Sequence, residues 1–184
     1  MTAPARSSRR LRIGAVGLVT AACTALAACG SSSTKPPAGF TSHGFSTVAS
    51  STTIKPGTAA TLHSGDLTVV VPANAVPTTA RFDLLTGSNS YWQTYAPAGQ
   101  KVLSSFAFRV TDTATNHLIV QFGAPVVVKL TNPAIQAASM YLNTTPTSPP
   151  KVIPNPKPPV IVKSTLAHGN VADPVGWLIT SPGA

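Results

Sequence analysis

From residue 53 onward the chain repeats one pattern, in which short apolar runs are separated by turns rich in Gly, Pro and Asn. In several runs apolar and polar residues alternate, which places the apolar side chains on one face of an extended strand. Many short strands divided by turn residues are typical of an all-β sandwich or barrel. We therefore predict an all-β fold, a single antiparallel β-sandwich. The predicted strands cover residues 45–48, 59–62, 67–71, 80–85, 102–110, 118–120, 126–130, 140–142, 160–162 and 177–179.

The scarcity of charged residues argues against long helices. Asp, Glu, Lys and Arg make up 9% of the chain, against about a quarter in an average soluble protein. The chain has no glutamate, on which soluble helices depend, whereas its abundant Val and Thr favour strands. With 43% hydrophobic residues it can still bury a core. One helical turn is predicted from Asn132 to Ala137, because Asn caps helices and Pro133 suits the first helical position.

Residues 126–130 form a nearly continuous β-branched apolar run and are predicted to be a central strand. Alternation along this strand buries Val128 together with Val126 and Leu130. Lys129 then points to the opposite, solvated face.

Residues 145–159 have a different composition, with seven prolines among fifteen residues. Such a segment is extended and polyproline-like. We interpret it as a stiff loop that joins two strands of the sandwich. The alternative interpretation is a ligand segment for an aromatic groove on another protein.

The first 28 residues have the layout of an export signal. Arginines precede an apolar segment, residues 13–28, that is shorter than the roughly 20 residues of a membrane-spanning helix. The segment ends in Leu26, Ala27 and Ala28, followed by Cys29. These four residues resemble the lipobox of bacterial lipoproteins, in which the cysteine becomes the first residue and carries the lipid. The resemblance implies acylation of Cys29 and a lipid anchor on the extracytoplasmic side of the cell membrane.

Three segments follow from this interpretation: a signal peptide (1–28), an acylated cysteine with a Ser/Pro/Gly tether (29–50) and a β-sandwich domain (51–184). An ordinary secretory signal cut after residue 28 and an uncleaved anchor are the alternatives. The adjacent Arg9 and Arg10 would suit twin-arginine export. Export by the general secretory route is favoured, because Arg12 stands where the twin-arginine signal prefers an apolar residue.

The charge pattern gives no sign of a nucleic-acid partner. Without the signal, nine Lys and Arg face four Asp, a net charge of +5. No two of these basic residues are adjacent, so the sequence lacks the basic stripe of nucleic-acid binding proteins, and we expect solvated lysines on a sparsely charged surface. A weak attraction to anionic lipid or wall polymer is the alternative. Cys23 lies within the signal, so acylation of Cys29 leaves no thiol for a disulfide.

No motif for catalysis or metal binding stands out. The histidines are His43, His63, His117 and His168, and no pair has the spacing of metal ligands. The sequence has no G-x-S-x-G motif. Without glutamate, the paired carboxylates of glycoside hydrolysis could come only from the aspartates. We predict a protein that is not an enzyme and that has no metal or cofactor. An extracytoplasmic hydrolase with a dispersed Ser/His/Asp site is the alternative.

The candidate binding loop is the aromatic segment at residues 90–95, between two predicted strands. In an extended chain Tyr91 and Tyr95 would lie on one face and Trp92 on the other. Amphipathic aromatic side chains on a loop suit binding of glycans or proteins. The alternative is that one face of the segment packs over the end of the sandwich.

Three motifs resemble the ZU5-like module of bacterial envelope proteins, a small Ig-like β-sandwich of adhesion and scaffolding proteins. They are an alternating strand that runs into V-P-x-x-A-V-P at residues 71–77, F-x-x-P-V-x-V at 122–128, and T-L-A-H at 165–168. The resemblance covers roughly residues 53–180. It implies a structural or interaction module without an enzymatic site. We therefore expect a membrane-anchored lipoprotein whose sandwich binds an envelope protein or a glycan, or has a structural role.

Overall fold

The alternating runs of the sequence form the strands of two antiparallel sheets. The computed structural model describes residues 44–172 and 176–183. One short helix, α1 (Asn89–Gln93), is present in this part of the chain. The strands are β1 (Thr47–Ile54), β2 (Ala60–Ser64), β3 (Leu67–Val71), β4 (Ala80–Thr86), β5 (Gln100–Asp112), β6 (Gln121–Thr131), β7 (Met140–Thr144), β8 (Val152–Pro154), β9 (Val160–Val162), β10 (Thr165–Ala172) and β11 (Trp177–Pro182).

The two sheets pack face to face, which confirms the predicted all-β antiparallel sandwich. The six-stranded sheet has the order β1-β4-β5-β11-β7-β8, and the five-stranded sheet has the order β2-β3-β6-β10-β9. All the strand pairs within both sheets are antiparallel. Both apolar cores are built from residues between Phe45 and Ile179. This part of the chain therefore carries the interactions that fold it.

Strand β6 is the middle strand of the five-stranded sheet, as predicted. Val126, Val128 and Leu130 are buried between the sheets. Lys129 is exposed on the outer face and Val127 is half-buried there. The period of two along the strand therefore gives the register expected from the sequence.

Aromatic rings fill much of the space between the sheets. The ring centroids of Phe82 and Phe108 are 5.1 Å apart, and those of Phe108 and Trp177 are 4.7 Å apart. Phe122 of the opposite sheet lies 6.2 Å from Phe82. Tilted contacts of this kind add attraction between the ring quadrupoles to the burial of apolar area. The rings thus join the two sheets into one core.

Strand β5 is buried on both of its faces, since residues 105–110 are all buried. Phe106 and Phe108 belong to the core between the sheets. Ala107 belongs to a second apolar cluster, on the outer face of the six-stranded sheet, and Arg109 shares this face with it. The six-stranded sheet therefore needs a cover on the side away from its partner sheet.

The fold begins upstream of residue 51, where the sequence placed the start of the domain. Strand β1 starts at Thr47 and pairs with β4 over its whole length. Phe45 is fully buried in the second cluster. Strand β1 therefore overlaps the first strand predicted at residues 45–48, and residues 45–50, which the predicted tether (29–50) included, belong to the sandwich.

Two local predictions were wrong. Residues 118–120 form no strand, because only Leu118 makes a β-bridge, to Thr111. The segment from Asn132 forms a tight turn and not a helical turn. The Asn132 side chain accepts a hydrogen bond from the Ala134 amide, and the Asn132 carbonyl accepts one from the Ile135 amide. An Asx turn gives asparagine the same local hydrogen bonds as a helix cap, so the sequence signal is shared.

The proline-rich segment joins the two sheets across an open edge of the sandwich. Its middle part is β8, which pairs with β7 in the six-stranded sheet. The chain then crosses to β9 in the five-stranded sheet. The predicted stiff connection is present, but part of it is an edge strand. We call residues 155–159, between β8 and β9, the strap.

The three motifs of the ZU5 resemblance lie side by side. They run along β3, β6 and β10, which are neighbours in the five-stranded sheet. The turn after β3 packs against the start of β6, where the Gly123 amide donates to the Ala75 carbonyl. A Cβ atom at Gly123 would lie 2.6 Å from the Asn74 carbonyl oxygen, so only glycine allows this approach.

Substituting Val128 by Asp should unfold the domain or nearly so. It would place an unpaired carboxylate in the core, at a cost of several kcal/mol against a typical total stability of about 5–15 kcal/mol. Lys129→Asp is the matched control on the same strand, and it should cost about half a kcal/mol or less because the group stays solvated. Thermal melts of both variants test the register. Equal tolerance at the two positions would contradict it.

Candidate functional site

The aromatic segment is a helix and not the extended loop expected from the sequence. Helix α1 is capped by Ser88, whose hydroxyl accepts a hydrogen bond from the Tyr91 amide. Helical geometry brings the side chain of Trp92 beside those of Tyr91 and Tyr95. The ring centroid of Tyr91 lies 5.2 Å from that of Trp92 and 5.4 Å from that of Tyr95. The three candidate binding residues therefore form one cluster and are not divided between two faces.

Trp92 is part of the core and covers the outer face of the six-stranded sheet. Its side chain is fully buried, and its ring stacks on Phe45 with the centroids 5.2 Å apart. The cluster contains Phe45, Leu85, Trp92, Val102, Ala107, Leu142 and Leu178. Helix α1 thus packs over the sheet, which was the alternative for this segment, and a ligand could not reach Trp92 without opening the cluster.

Glycines allow this cover to lie close to the sheet. A Cβ atom at Gly176 would overlap the Phe45 ring, and one at Gly87 would lie 2.9 Å from Nε1 of Trp92. The same indole N–H is buried without a hydrogen-bond partner among the described residues. An unpaired buried donor costs free energy. The packing of the ring must therefore outweigh the loss of its hydrogen bond to water.

The solvent-facing part of the cluster consists of Tyr91 and Tyr95. Tyr91 is 38% exposed and Tyr95 is half-buried. Burial raises the pKa of Tyr91, and the neighbouring Tyr95 hydroxyl raises it further. The Tyr91 phenol therefore remains a neutral hydrogen-bonding group on an apolar base, which is the chemistry expected of a glycan or protein contact.

A buried ion cluster lies on the same outer face as this cover. Asp83 accepts hydrogen bonds from Arg109, whose Nε lies 2.6 Å from Oδ2, and from Arg81, whose Nε lies 2.9 Å from Oδ1. Ser51 donates to the same carboxylate at 2.5 Å. Asp83 is 1% and Arg109 7% exposed, so this ion pair lies inside the fold and not in solvent. The two residues face each other across β4 and β5, a partnership that only the register reveals.

A second polar cluster closes the edge of the sandwich beneath the strap. His168 is buried, and its ring stacks on Tyr141 with the centroids 4.2 Å apart. Its Nδ1 lies 3.0 Å from Oδ1 of Asn170, and its Nε2 lies 3.1 Å from the Lys157 carbonyl oxygen. The Asn170 amide donates to the Tyr141 hydroxyl at 2.9 Å. Burial lowers the pKa of His168, although its hydrogen bonds oppose this effect.

A shallow cleft lies where the strap meets the outer face of the five-stranded sheet. Its volume is about 260 Å³. The lining residues come from β6, β10 and the strap with the start of β9: Val127, Lys157, Pro158, Val160, Ala167, His168 and Gly169. The cleft exists because Gly169 has no side chain and because β9 is too short to pair with β10 beyond Ala167.

The other two histidines of the described chain are exposed. The exposed His63 ring contacts the Thr68 hydroxyl at 3.2 Å, and His117 lies in the turn after β5. No three His, Cys, Asp or Glu side chains come together as metal ligands within residues 44–172 and 176–183. His43 and Asp173 lie outside the described residues.

The lipobox residues also lie outside the described residues: Leu26, Ala27, Ala28 and Cys29. The acylation of Cys29 therefore stays a prediction. In the part of the chain that is described, no helix has the length and hydropathy needed to cross a membrane. Comparison with protein-family models and with curated proteins finds no match to this chain.

Truncating Trp92 to Ala should destabilise the domain by about 3–5 kcal/mol, because it empties the cover of the outer face. Tyr91→Ala should cost roughly 1 kcal/mol or less, since that ring is partly solvated. Trp92→Phe is the discriminating variant: it keeps most of the ring, removes the unpaired N–H, and should be milder than the alanine variant. Denaturant unfolding measures all three, and equal losses for Trp92→Ala and Tyr91→Ala would contradict this packing.

His168 should make the domain less stable in mild acid. Because the folded state has the lower pKa, the unfolded chain binds a proton that the folded chain does not, once the pH falls below the ordinary value near 6.5. Protonation of His168 in the unfolded chain therefore leaves the free energy of unfolding unchanged above that pH and lowers it below that pH. Melting temperatures between neutral pH and pH 5 should show a smaller decrease for His168→Gln than for the unmodified chain. His63→Gln, which changes an exposed ring, should retain the unmodified pH dependence, and equal slopes in both variants would exclude this role for His168.

Proposed function

We propose that this protein is a cell-envelope lipoprotein, anchored to the membrane through lipid on Cys29, with a sandwich that has a non-catalytic binding or structural role on the extracytoplasmic side. The observation that carries the proposal is the sequence Leu-Ala-Ala-Cys at residues 26–29, directly after a basic segment and a short apolar one. This order of basic, apolar and cysteine-terminated segments is what export and acylation require.

The extent of the fold supports this arrangement. Both apolar clusters of the sandwich are built from residues between Phe45 and Ile179, and the proposed tether is the segment that follows Cys29 and precedes them. Its Ser, Thr, Pro and Gly composition is that of a linker. The stability of the sandwich comes from two apolar clusters and requires no disulfide.

The surroundings of the histidines support a non-catalytic role. A Ser/His/Asp hydrolase needs a histidine that links a serine to an acid. Within residues 44–172 and 176–183, the rings of His63 and His168 contact a threonine, an asparagine and a backbone carbonyl. The half-exposed Tyr91 and Tyr95 are the candidate contact residues for an envelope protein or a glycan.

Replacing Cys29 by Ala should abolish lipid attachment, because the thioether forms on that sulfur. Stable anchoring needs the two or more acyl chains of a mature lipoprotein, so the variant should leave the membrane fraction or accumulate as the precursor. Labelling with an alkynyl palmitate, followed by membrane fractionation, measures both effects. Cys23→Ala is the matched control and should stay labelled and membrane-bound.

Retention of the label and of the membrane location in Cys29→Ala would contradict the proposal. Loss of labelling in Cys23→Ala but not in Cys29→Ala would show that the lipid is attached to Cys23, and this too would contradict the proposal. Protease added to intact cells tests the side of the membrane: the sandwich should be accessible from outside, and protection would exclude the extracytoplasmic location.

A further inference from the structure

The edge strand β9 leaves apolar side chains in solvent beside the cleft at the strap. Val160 is 65% and Val162 62% exposed, while Ile161, between them, packs against the core. In the register of the sheet, Val160 is opposite Ala167, and Ala167 is opposite Lys129. The cleft and the outer side of β9 therefore form one continuous strip, which we call the edge cleft. It consists of Val127, Pro158, Val160, Val162, Ala167 and Gly169.

Lysines surround the edge cleft. Lys157 lines it, Lys129 is next to Ala167 on the same face, and Lys163 follows Val162 in the turn to β10. All three are exposed, and the ion pairs of the described chain involve Asp83 with Arg81 and Arg109 and none of these lysines. The apolar strip thus has a positively charged rim, and among the described residues none of the three lysines is in an ion pair.

A second copy of the chain is a poor occupant of the edge cleft. Pairing two β9 strands would bring the lysines of one copy against those of the other, and lysine at a sheet edge disfavours such pairing. The chain has no glutamate and only four aspartates; of these, Asp83 is buried in the ion cluster, and the Asp66 carboxylate accepts a hydrogen bond from the Asn132 side chain at 3.4 Å. A segment of a different molecule that carries several carboxylates therefore complements this rim better than a second copy does.

The shape of the edge cleft favours an extended polypeptide. Its volume of about 260 Å³ is below the roughly 300–1,000 Å³ of sites that enclose a small molecule. It is open along the edge of the sheet, and β9 pairs with β10 only from Thr165 to Ala167. The sheet edge past Ala167 is thus not covered by β9. Strand addition uses such edges, with main-chain hydrogen bonds for affinity and pockets for alternate side chains for specificity.

We propose that the edge cleft binds an extended acidic segment of another protein, with one apolar side chain over Gly169 and carboxylates paired with Lys129, Lys157 and Lys163. This inference rests on the proposed binding role of the sandwich and not on the lipid anchor. It supplies the chemical class of partner that the proposed function leaves open.

The test uses the chain from residue 30 to residue 184, produced without the signal, so that neither lipid nor membrane is present. The probe is a short capped peptide that alternates valine and aspartate. Two control peptides alternate serine with aspartate and valine with lysine. Fluorescence anisotropy measures affinity, and amide chemical shifts locate the bound peptide. We expect the valine–aspartate peptide to bind more tightly than both controls and to shift the amides of residues 160–169.

Two variants localise the binding. Gly169→Val fills the floor of the cleft with little strain, because a Cβ atom there meets only Pro125, at 3.4 Å, and it should weaken binding about tenfold or more. Lys157→Glu leaves the fold untouched and should weaken binding most at low salt. Lys55→Glu and Lys101→Glu change exposed lysines on other strands or turns and should leave the affinity unchanged.

Equal binding of the serine–aspartate peptide would overturn the proposal, since charge alone would then explain the contact. Unchanged affinity in both Gly169→Val and Lys157→Glu would also overturn it, and so would no binding of the valine–aspartate peptide. Shifts of residues 160–169 by phosphatidylglycerol vesicles, without any by the peptide, would assign the surface to lipid. Dimer formation through β9 would assign it to a second copy. Acylation of Cys29 is measured separately, so failure here leaves the anchor proposal standing.

Discussion

The burial of strand β5 on both of its faces is the constraint on which the rest of the structure depends. Residues 105–110 are all buried, although a two-sheet sandwich by itself covers only one face of each sheet. The outer face is covered by Phe45 from the start of the fold, by Trp92 from helix α1 and by the pairing of Arg109 with Asp83. This requirement explains why the fold starts upstream of residue 51 and why glycine occupies position 176 beside the Phe45 ring.

The sequence predicted those features that depend on local alternation. The buried face of β6 and the exposed Lys129 follow from a period of two, and β3 follows in the same way. The missed features depend on which segments meet in space. Trp92 is buried because a helix forms after Ser88 and packs on Phe45, and the distance along the chain between them hides this contact. In the sequence, the one sign that His168 is buried is its position two residues after the apolar Leu166, which puts both side chains on the same face of the strand.

The two functional proposals rest on different residues and different physics. Anchoring depends on a cysteine and the segment before it, whereas recognition by the sandwich depends on the edge cleft and its lysine rim. The strap connects this surface to the interior, because the Lys157 carbonyl contacts the buried His168 ring and Lys157 also lines the cleft. An edge strand such as β9, which pairs with β10 only from Thr165 to Ala167, is suited to strand addition by a partner segment.

Hydrogen exchange of the β5 amides tests the central claim most directly, in a chain that starts at Gly44 and in one that starts at Ser51. The shorter chain lacks Phe45 and the first residues of β1. If the outer cover is essential, the amides of residues 105–110 should exchange roughly a hundredfold faster in the shorter chain, or that chain should not fold. Equal protection of these amides in both chains would contradict the account, because the six-stranded sheet would then be stable without the part of its cover that Phe45 supplies.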